Sequence, residues 1–278
     1  VLEGGAMRGI YTAGVLDVFL EQGIHFDGVN GVSAGALHGC SFVSGQKGRS
    51  LRYFKKYRND KHFMSWWSFL HTGEVVGRQF CYHDIPERLD PFDYEAFIKS
   101  DTELYATCTN VETGKAEYIK ITDMMTQIDA MRASASMPYV SKIVNYKGMK
   151  LLDGGCADSI PVEAFKRMGY DRIVVVLTRE TGFVKKPENT KMAEIRYHKY
   201  PEFVHTLKNR HNVYNHSLDV IKELERKGEV FVIQPDKKLD ISRMENNLEV
   251  IQQVYDMGEK DAHIRMKALK DWMNLPEV

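Results

Sequence analysis

The sequence predicts an α/β fold with a mostly parallel central sheet, and three observations lead to that prediction. Two short β-prone stretches, 1–3 and 26–30, are each followed by a glycine-containing turn and then by a run typical of a helix. A third stretch, 172–178, is almost entirely apolar, as strands buried on both faces of a parallel sheet are. Strands that alternate with helices in this way favour one sheet covered by helices.

The first turn follows the strand expected at 1–3 and reads Gly4-Gly5-Ala6-Met7-Arg8-Gly9. An amphipathic run from Ile10 to Gln22 follows it, and Gly23 is a natural end for that helix. Backbone N–H groups left free in such a turn can hold an anion.

Two functions are open for this turn. Gly4-x-Ala6-x-x-Gly9 is one residue away from the dinucleotide-binding pattern, with Asp27 at about the right distance for a ribose-binding acid. The alternative is an oxyanion hole for a serine nucleophile. Asp27 favours the oxyanion hole, because it precedes the second strand, whereas a ribose-binding acid should follow that strand.

The second turn reads Gly31-Val32-Ser33-Ala34-Gly35, the G-x-S-x-G pattern of a nucleophile elbow. The residues two before and two after the serine crowd each other on this tight turn, so glycine fits at both positions. Since the C-terminal ends of neighbouring parallel strands share one crevice, we expect Ser33 to face the first glycine turn.

The middle of the chain is expected to contain a connective helical region at 47–73, strands at 103–111 and 116–121 joined by a turn, and a helix at 123–134. The most aromatic segment, 63–70, is interpreted as a helix buried against the core. A lid or a wall for an acyl chain is the alternative.

A third candidate site residue is Asp153, at the end of a strand expected at 149–153 and followed by Gly154 and Gly155. An aspartate with an open backbone around it could take the proton of a neighbouring serine hydroxyl. Capping of its own turn is the alternative. Small residues at 133–138, ending at Pro138, precede this strand.

Residues 181–278 are predicted to form a mainly helical extension of the same globular unit, packed on a core of residues 1–180. A helix is expected at 216–227 and a strand at 230–234, and Ser242 with Glu245 forms a capping box for a long helix that breaks near Gly258. Seven Lys and Arg against three Glu in 183–211 are interpreted as a solvated helical face; attraction to anionic lipid head groups is the alternative.

Composition limits the classes of function. The 38 Lys and Arg balance 38 Asp and Glu, so nucleic acid is not expected as a partner. Four scattered cysteines without a C-x-x-C pair favour free thiols in a reducing compartment. No apolar run is long enough to span a membrane. The sequence therefore predicts a cytoplasmic protein, with peripheral contact to a membrane surface left open. It begins at Val1 without methionine, which leaves open whether a targeting segment precedes it.

These motifs together resemble the patatin-like phospholipases, and beyond residue 180 the similarity is loose and only to bacterial members. The elbow, the Asp153-Gly154-Gly155 segment and the small-residue segment 133–138 match the family in order and spacing, and 3–9 is similar to its glycine-rich loop with a basic residue. Ala6 replaces the usual third glycine, and Glu3 stands where aspartate is common. The resemblance implies a three-layer α/β/α fold with a mostly parallel central sheet.

The resemblance also implies a serine acyl hydrolase that cleaves carboxylic esters of phospholipids, lysophospholipids or related acyl lipids. It implies a catalytic dyad of Ser33 and Asp153 and no catalytic histidine, cofactor or metal. The implied oxyanion hole is the backbone of Gly4, Gly5 and Ala6. The implied supporting residues are Arg8, Gly9, Gly31, Gly35, Gly154 and Gly155.

Two other functions stay open at this point. One is a non-catalytic regulatory or lipid-binding protein on the same scaffold, and the other is a dinucleotide-binding oxidoreductase. The sequence leaves the oligomeric state, the role of Arg8 and the choice among lipid esters open.

Overall fold

A β-sheet runs through the centre of the computed structural model, which describes residues 1–274. Leu2 forms parallel bridges to Gly31 and Val176 and so joins a five-stranded part of the sheet to a two-stranded part. The strands are β1 (Gly28–Val32), β2 (Glu103–Asn110), β3 (Ala116–Ile121), β4 (Val144–Tyr146), β5 (Met149–Asp153), β6 (Ile173–Val176) and β7 (Val230–Ile233).

The sheet is mixed, and the expectation of a mostly parallel sheet holds in only one half of it. β7, β6, Leu2, β1 and β2 run parallel to one another. β3 and β5 are antiparallel to β2, and β4 is antiparallel to β5. β3 is antiparallel to β2 because the short turn predicted at 112–115 joins them into a hairpin, and a turn at 147–148 joins β4 to β5 in the same way.

Helices cover both faces of the sheet. The helices are α1 (Gly9–Glu21), α2 (Ala34–Val43), α3 (Arg49–Tyr57), α4 (Trp66–Thr72), α5 (Tyr94–Lys99), α6 (Ile128–Ser134), α7 (Val162–Arg167), α8 (Lys191–Arg196), α9 (Pro201–Arg226) and α10 (Leu248–Met273), with a π-helical segment at Phe80–Leu89. In β6, Val174 and Val176 pack in the core cluster beneath α1, α2 and α10, whereas Ile173 and Val175 pack against α7 and α9 on the other face.

Three helical predictions were wrong in detail. The helix expected at 123–134 begins only at Ile128, because the Gln127 side chain accepts hydrogen bonds from the amides of Thr122 and Asp123 and holds a turn there. The aromatic segment is only partly the buried helix expected: Phe63 and Met64 are buried before the helix begins, whereas Trp66 is 62% exposed and Leu70 is 80% exposed.

The third wrong prediction concerns the long C-terminal helix. The Ser242 and Glu245 side chains do bond each other, but α10 starts later, with Asn247 as its N-cap. The helix is also continuous through Gly258. This glycine lies where α10 crosses α1, and an added Cβ would come within 2.1 Å of the Tyr11 carbonyl oxygen.

The crossing of α1 and α10 brings two backbones unusually close. Gly14 faces the other helix in the same manner, since its added Cβ would lie 2.2 Å from the Tyr255 carbonyl oxygen. Two hydrogen bonds flank the crossing: Tyr11 donates to Asp261 at 2.8 Å, and Tyr255 donates to Asp17 at 2.6 Å. The C-terminal helix is thereby packed on the first helix, while the division at residue 180 stays a prediction.

We expect Gly258→Ala to destabilise the protein by roughly 1–3 kcal/mol, because the added methyl group overpacks the crossing. Helix propensity alone favours alanine over glycine by about 1 kcal/mol, so the sign of the change separates the two effects. Urea unfolding measures this change in the free energy of unfolding. Gln253→Ala, on the exposed side of α10, is the control and should change stability by less than about 0.5 kcal/mol. A stabilised Gly258→Ala protein would contradict the close packing.

Candidate active site

Ser33 occupies a strained turn between β1 and α2. Its φ of 55° and ψ of −121° lie in a region that residues with a Cβ rarely adopt. An added Cβ at Gly31 would lie 2.5 Å from the Ala36 backbone, and one at Gly35 would lie 2.6 Å from the Leu2 carbonyl oxygen. The expected crowding is therefore present, and the second glycine also lets the first strand pass beside the elbow.

The register of β2 brings Ser33 and Asp153 together. Val32, the last residue of β1, pairs with Thr107, and Asp153, the last residue of β5, pairs with Cys108. Both strands lie on the same edge of β2, since β3 occupies the other edge over residues 104–109. β1 and β5 run in opposite directions and so end head to head.

The Ser33 hydroxyl acts on the Asp153 carboxylate as a hydrogen-bond donor. Burial raises the pKa of Asp153, while the Ser33 hydroxyl, the Gly155 amide at 2.8 Å and the charge of Arg210 partly oppose the shift. The raised pKa makes Asp153 a stronger base than a solvated carboxylate.

The first glycine turn faces Ser33, as expected. An added Cβ at Gly4 would lie 3.4 Å from the Ser33 Cβ, and Ala6 adopts a φ of 47°. Within residues 1–274, the amides of Gly4, Gly5 and Ala6 donate no hydrogen bond, so these N–H groups are open to an anion beside the serine.

Glu3 anchors this turn to neighbouring buried residues. Its buried carboxylate accepts hydrogen bonds from the Thr178 amide and hydroxyl and, at 2.7 Å, from the Tyr214 hydroxyl. The turn is thereby tied to the end of β6 and to α9. These contacts account for the acidic residue that precedes the glycines.

Two cavities meet at Ser33, and Ala6 and Met137 also line both of them. One, of about 130 Å³, is lined mainly by apolar side chains. They include Leu37, Phe54, Phe63, Met64, Ile85 and Phe92. The other, of about 340 Å³, is polar and contains Asp153 and the glycine turn. Its lining includes the exposed Trp66, whereas Phe63 and Met64 of the same aromatic segment are buried in the core.

Several residues that position the site were not predicted. Ser134 accepts a hydrogen bond from the Ser33 amide at 2.9 Å and donates to the Thr107 carbonyl at 2.7 Å. Thr109 donates to the Asp153 carbonyl at 2.8 Å. Ser134 lies in the small-residue segment 133–138, which gave its only signal; nothing in the sequence pointed to Thr109.

Arg210 corrects the interpretation of 183–211 as a solvated face. Its Nε donates to the Gly155 carbonyl, and its side chain is 29% exposed. The Lys185 side chain is 13% exposed and also lines the polar cavity. Both cations therefore lie in the wall of the site.

Two further glycines expected at the site, Gly154 and Gly9, lie where neighbouring segments approach closely. An added Cβ at Gly154 would lie 2.1 Å from the Thr107 carbonyl oxygen, and one at Gly9 would lie 2.6 Å from the Ala34 Cβ. These two glycines let their loops pack tightly on β2 and α2. Arg8 lines the polar cavity, and its buried Nε has no hydrogen-bond partner in residues 1–274.

Histidines do not contribute to the lining of either cavity in the described part of the chain. Residues 1–274 contain no group of three or more His, Cys, Asp or Glu side chains placed to hold a metal ion. The cysteines at 40, 81, 108 and 156 are free thiols. No helix within residues 1–274 has the length and apolar character needed to cross a membrane.

Asp27, the acid that the dinucleotide interpretation needs, immediately precedes β1 and lies at the end of that strand opposite to Ser33. The polar and apolar cavities at Ser33 therefore do not include it.

Comparisons with known proteins show which families the chain resembles. A family model described as patatin-like phospholipase matches residues 1–166, and one described as a domain of unknown function (DUF6363) matches residues 200–274. The chain is 25% identical to the uncharacterized protein YjjU of Escherichia coli (strain K12) over 263 residues, which cover 93% of this chain and 74% of that protein.

Fungal lysophospholipases are also similar. Lysophospholipase nte1 of Emericella nidulans is 30% identical over 186 residues, and lysophospholipase NTE1 of Debaryomyces hansenii is 27% identical over 191 residues. Each match covers 63% of this chain but only 11% of the fungal protein, so the chain spans about a tenth of the length of these relatives.

The raised pKa of Asp153 predicts how stability depends on pH. The folded state holds the Asp153 proton more tightly than the unfolded state, so stability falls as pH rises above about 3.9, the usual pKa of aspartate. We therefore expect Asp153→Asn to gain stability relative to the native protein between pH 4 and pH 7 in urea unfolding. Asp123→Asn is the control. Hydrogen bonds from Thr126 and Met125 lower the pKa of that exposed carboxyl, so its contribution to stability changes only below about pH 4 and the difference from the native protein should stay constant between pH 4 and pH 7. A pH-independent difference for Asp153→Asn would contradict the effect of burial.

Proposed function

The chain belongs to the patatin-like phospholipase family, and from this we propose that it is a serine acyl hydrolase that cleaves a carboxylic ester bond of a lipid. The observation that carries the proposal is the pairing of Ser33 with the buried Asp153 where an apolar and a polar cavity meet. An acyl chain fits the chemistry of the first cavity, and the leaving group fits that of the second.

In the mechanism we propose, the Ser33 Oγ attacks the acyl carbonyl carbon while Asp153 takes the hydroxyl proton. The amides of Gly4, Gly5 and Ala6 stabilise the oxyanion of the tetrahedral intermediate. Collapse of this intermediate breaks the ester bond, and the protonated Asp153 returns the proton to the leaving alcohol. Water, activated by Asp153, then releases the fatty acid from Ser33.

Preorganisation supports these roles. The Ser33 amide donates a hydrogen bond to the Ser134 hydroxyl. The Asp153 carbonyl accepts a hydrogen bond from the Thr109 hydroxyl, and the Asp153 amide donates one to the Ser136 carbonyl at 2.9 Å. Groups fixed in this way need little rearrangement when charge develops on the oxyanion. Burial of Asp153 brings its pKa closer to neutral pH, where a general base is most effective.

A non-catalytic regulatory or lipid-binding protein on the same scaffold is the second candidate. Ser33 and Asp153 are both present and in contact, which favours the enzyme. Covalent labelling of Ser33 by a fluorophosphonate separates the two, since a protein without an activated serine would not react. The cytoplasmic location and the peripheral contact with a membrane surface stay predictions.

Ser33→Ala and Asp153→Asn should each lower kcat on p-nitrophenyl butyrate and on a lysophospholipid by on the order of a thousand-fold, because each removes one half of the dyad. Ser44→Ala is the control, since that hydroxyl bonds Ser41 and Gln46 and lies outside both cavities. Folding is checked by circular dichroism. Retained activity in a folded Ser33→Ala protein would end the proposal.

The pH dependence of kcat/KM should report Asp153. The base must be ionised, so activity falls on acidification, and the raised pKa places this fall above the usual aspartate range near pH 4. The positive charge of Arg210 lowers the pKa of Asp153, and Arg210→Gln should therefore move the fall to still higher pH. Rates on p-nitrophenyl butyrate from pH 4 to 9 measure both. A fall that moves to lower pH in Arg210→Gln would contradict the assignment of Asp153 as the base.

A further inference from the structure

The polar cavity beside Ser33 is lined by more cations than carboxylates. The carboxylates are Glu3, Asp153 and Glu188. The cations are Arg8, Arg179, Lys185, Arg210 and Arg243. The whole chain carries equal numbers of acidic and basic residues, so the excess of cations here is a local property of the cavity.

The carboxylates of the cavity are already engaged. Glu3 accepts hydrogen bonds from Thr178 and Tyr214 in the buried anchor of the glycine turn. Glu188 lies 3.2 Å from the Lys185 ammonium and 3.8 Å from Arg210. The Asp153 carboxylate accepts hydrogen bonds from Ser33 and from the Gly155 amide.

Three of the cations lack such partners. Arg8, Arg179 and Arg243 form no ion pair within 4 Å in the part of the chain that the structure describes, and the buried Nε of Arg8 has no hydrogen-bond partner there either. The Arg179 guanidinium lies 4.3 Å above the Phe183 ring instead. Burial lowers the pKa of Arg8, and the positive charges of Arg179 and Arg243 lower it further. Like charges held together at a cavity wall favour an anionic ligand between them.

The part of the chain beyond residue 180 supplies much of this wall. Arg210, Tyr214 and Arg243 lie within residues 200–274, the region that matches a domain of unknown function, and Lys185 and Glu188 come just before it. Arg210 and Tyr214 are on one face of α9, and both also contact the catalytic loops, through Gly155 and Glu3.

We propose that residues 179–243 form an anion-binding wall of the active site, with which the protein selects acyl lipids whose leaving group carries a phosphate with net negative charge. This inference rests on the proposed hydrolase function. The apolar cavity lies on the other side of Ser33, so an acyl chain and a phosphate-bearing leaving group occupy opposite sides of the ester carbonyl. A guanidinium group binds phosphate through two parallel hydrogen bonds, which a neutral glycerol head group does not offer.

The test compares substrates that share one acyl chain, below their aggregation limits. They are a lysophosphatidate, a lysophosphatidylcholine and a monoacylglycerol. We expect kcat/KM to be highest for the lysophosphatidate, at least tenfold above that of the monoacylglycerol, and this ratio to decrease with salt. The double variant Arg179→Gln/Arg243→Gln should lower the ratio about tenfold or more, mainly through KM. The control is Lys186→Gln, an exposed neighbour of Lys185 outside the cavity. Equal efficiency on all three lipids, or an unchanged ratio in the double variant, overturns the inference.

A binding measurement keeps this result separate from the proposed function. Decyl phosphate and decanol, which contain no carboxylic ester, are titrated calorimetrically into the Ser33→Ala protein, which lacks the proposed nucleophile. Tighter binding of decyl phosphate, weakened about tenfold by the double variant, supports the anion site even if no ester is hydrolysed. Equal binding of the two ligands overturns it even if esters are hydrolysed.

A third measurement separates a site for one lipid from attraction to a surface. Flotation with vesicles that contain phosphatidylglycerol reports membrane binding. If the double variant loses vesicle binding but keeps the lysophosphatidate preference, the cations act at the membrane surface and the inference is wrong.

Discussion

The arrangement of the site depends on one edge of β2. Pairing of β1 with residues 103–107 and of β5 with residues 108–110 leaves no gap between the two strands along that edge. The elbow after β1 and the acid at the end of β5 then have to meet, whatever loops connect them. A register shift of one residue in β5 would turn Asp153 to the other face of the sheet and separate it from Ser33. Ser33 and Asp153 can therefore meet only in a mixed sheet, in which β1 is parallel and β5 is antiparallel to β2.

Local geometry determines the elbow and the glycine turn, so their positions could be predicted from the sequence. The G-x-S-x-G pattern is a steric requirement within five residues, and the glycine turn before α1 leaves its amides free for a similar local reason. The structure places both turns directly before the helices expected to follow them, while their catalytic roles stay predictions. The direction in which β5 approaches β2 depends on pairing between residues more than 40 apart, and no pattern within either strand reports it. For the same reason Thr109, a threonine within a strand, gave no signal.

Amino-acid composition led to wrong predictions for residues whose place in the fold depends on which side of a segment is buried. Arg210 and Lys185 count as two charges among many in 183–211. Only the fold shows that Arg210 on α9 and Lys185 in the loop before α8 both line the site. The aromatic residues of 63–70 are apolar enough for a core, yet Trp66 and Leu70 are exposed. Gly258 was interpreted as a helix break, because a glycine that permits two helices to touch and one that ends a helix look alike in a single sequence.

The contact between α1 and α10 has a consequence for how the protein is made. The two helices are separated by more than 220 residues, and Leu2 is held between β1 and β6, which is itself some 170 residues away. During synthesis the N-terminal half emerges first, with one face of α1 uncovered and the edge of β1 unpaired except through β2. The elbow therefore reaches its final support only after α10 has left the ribosome, so that a chain still lacking α10 is not expected to have a formed active site.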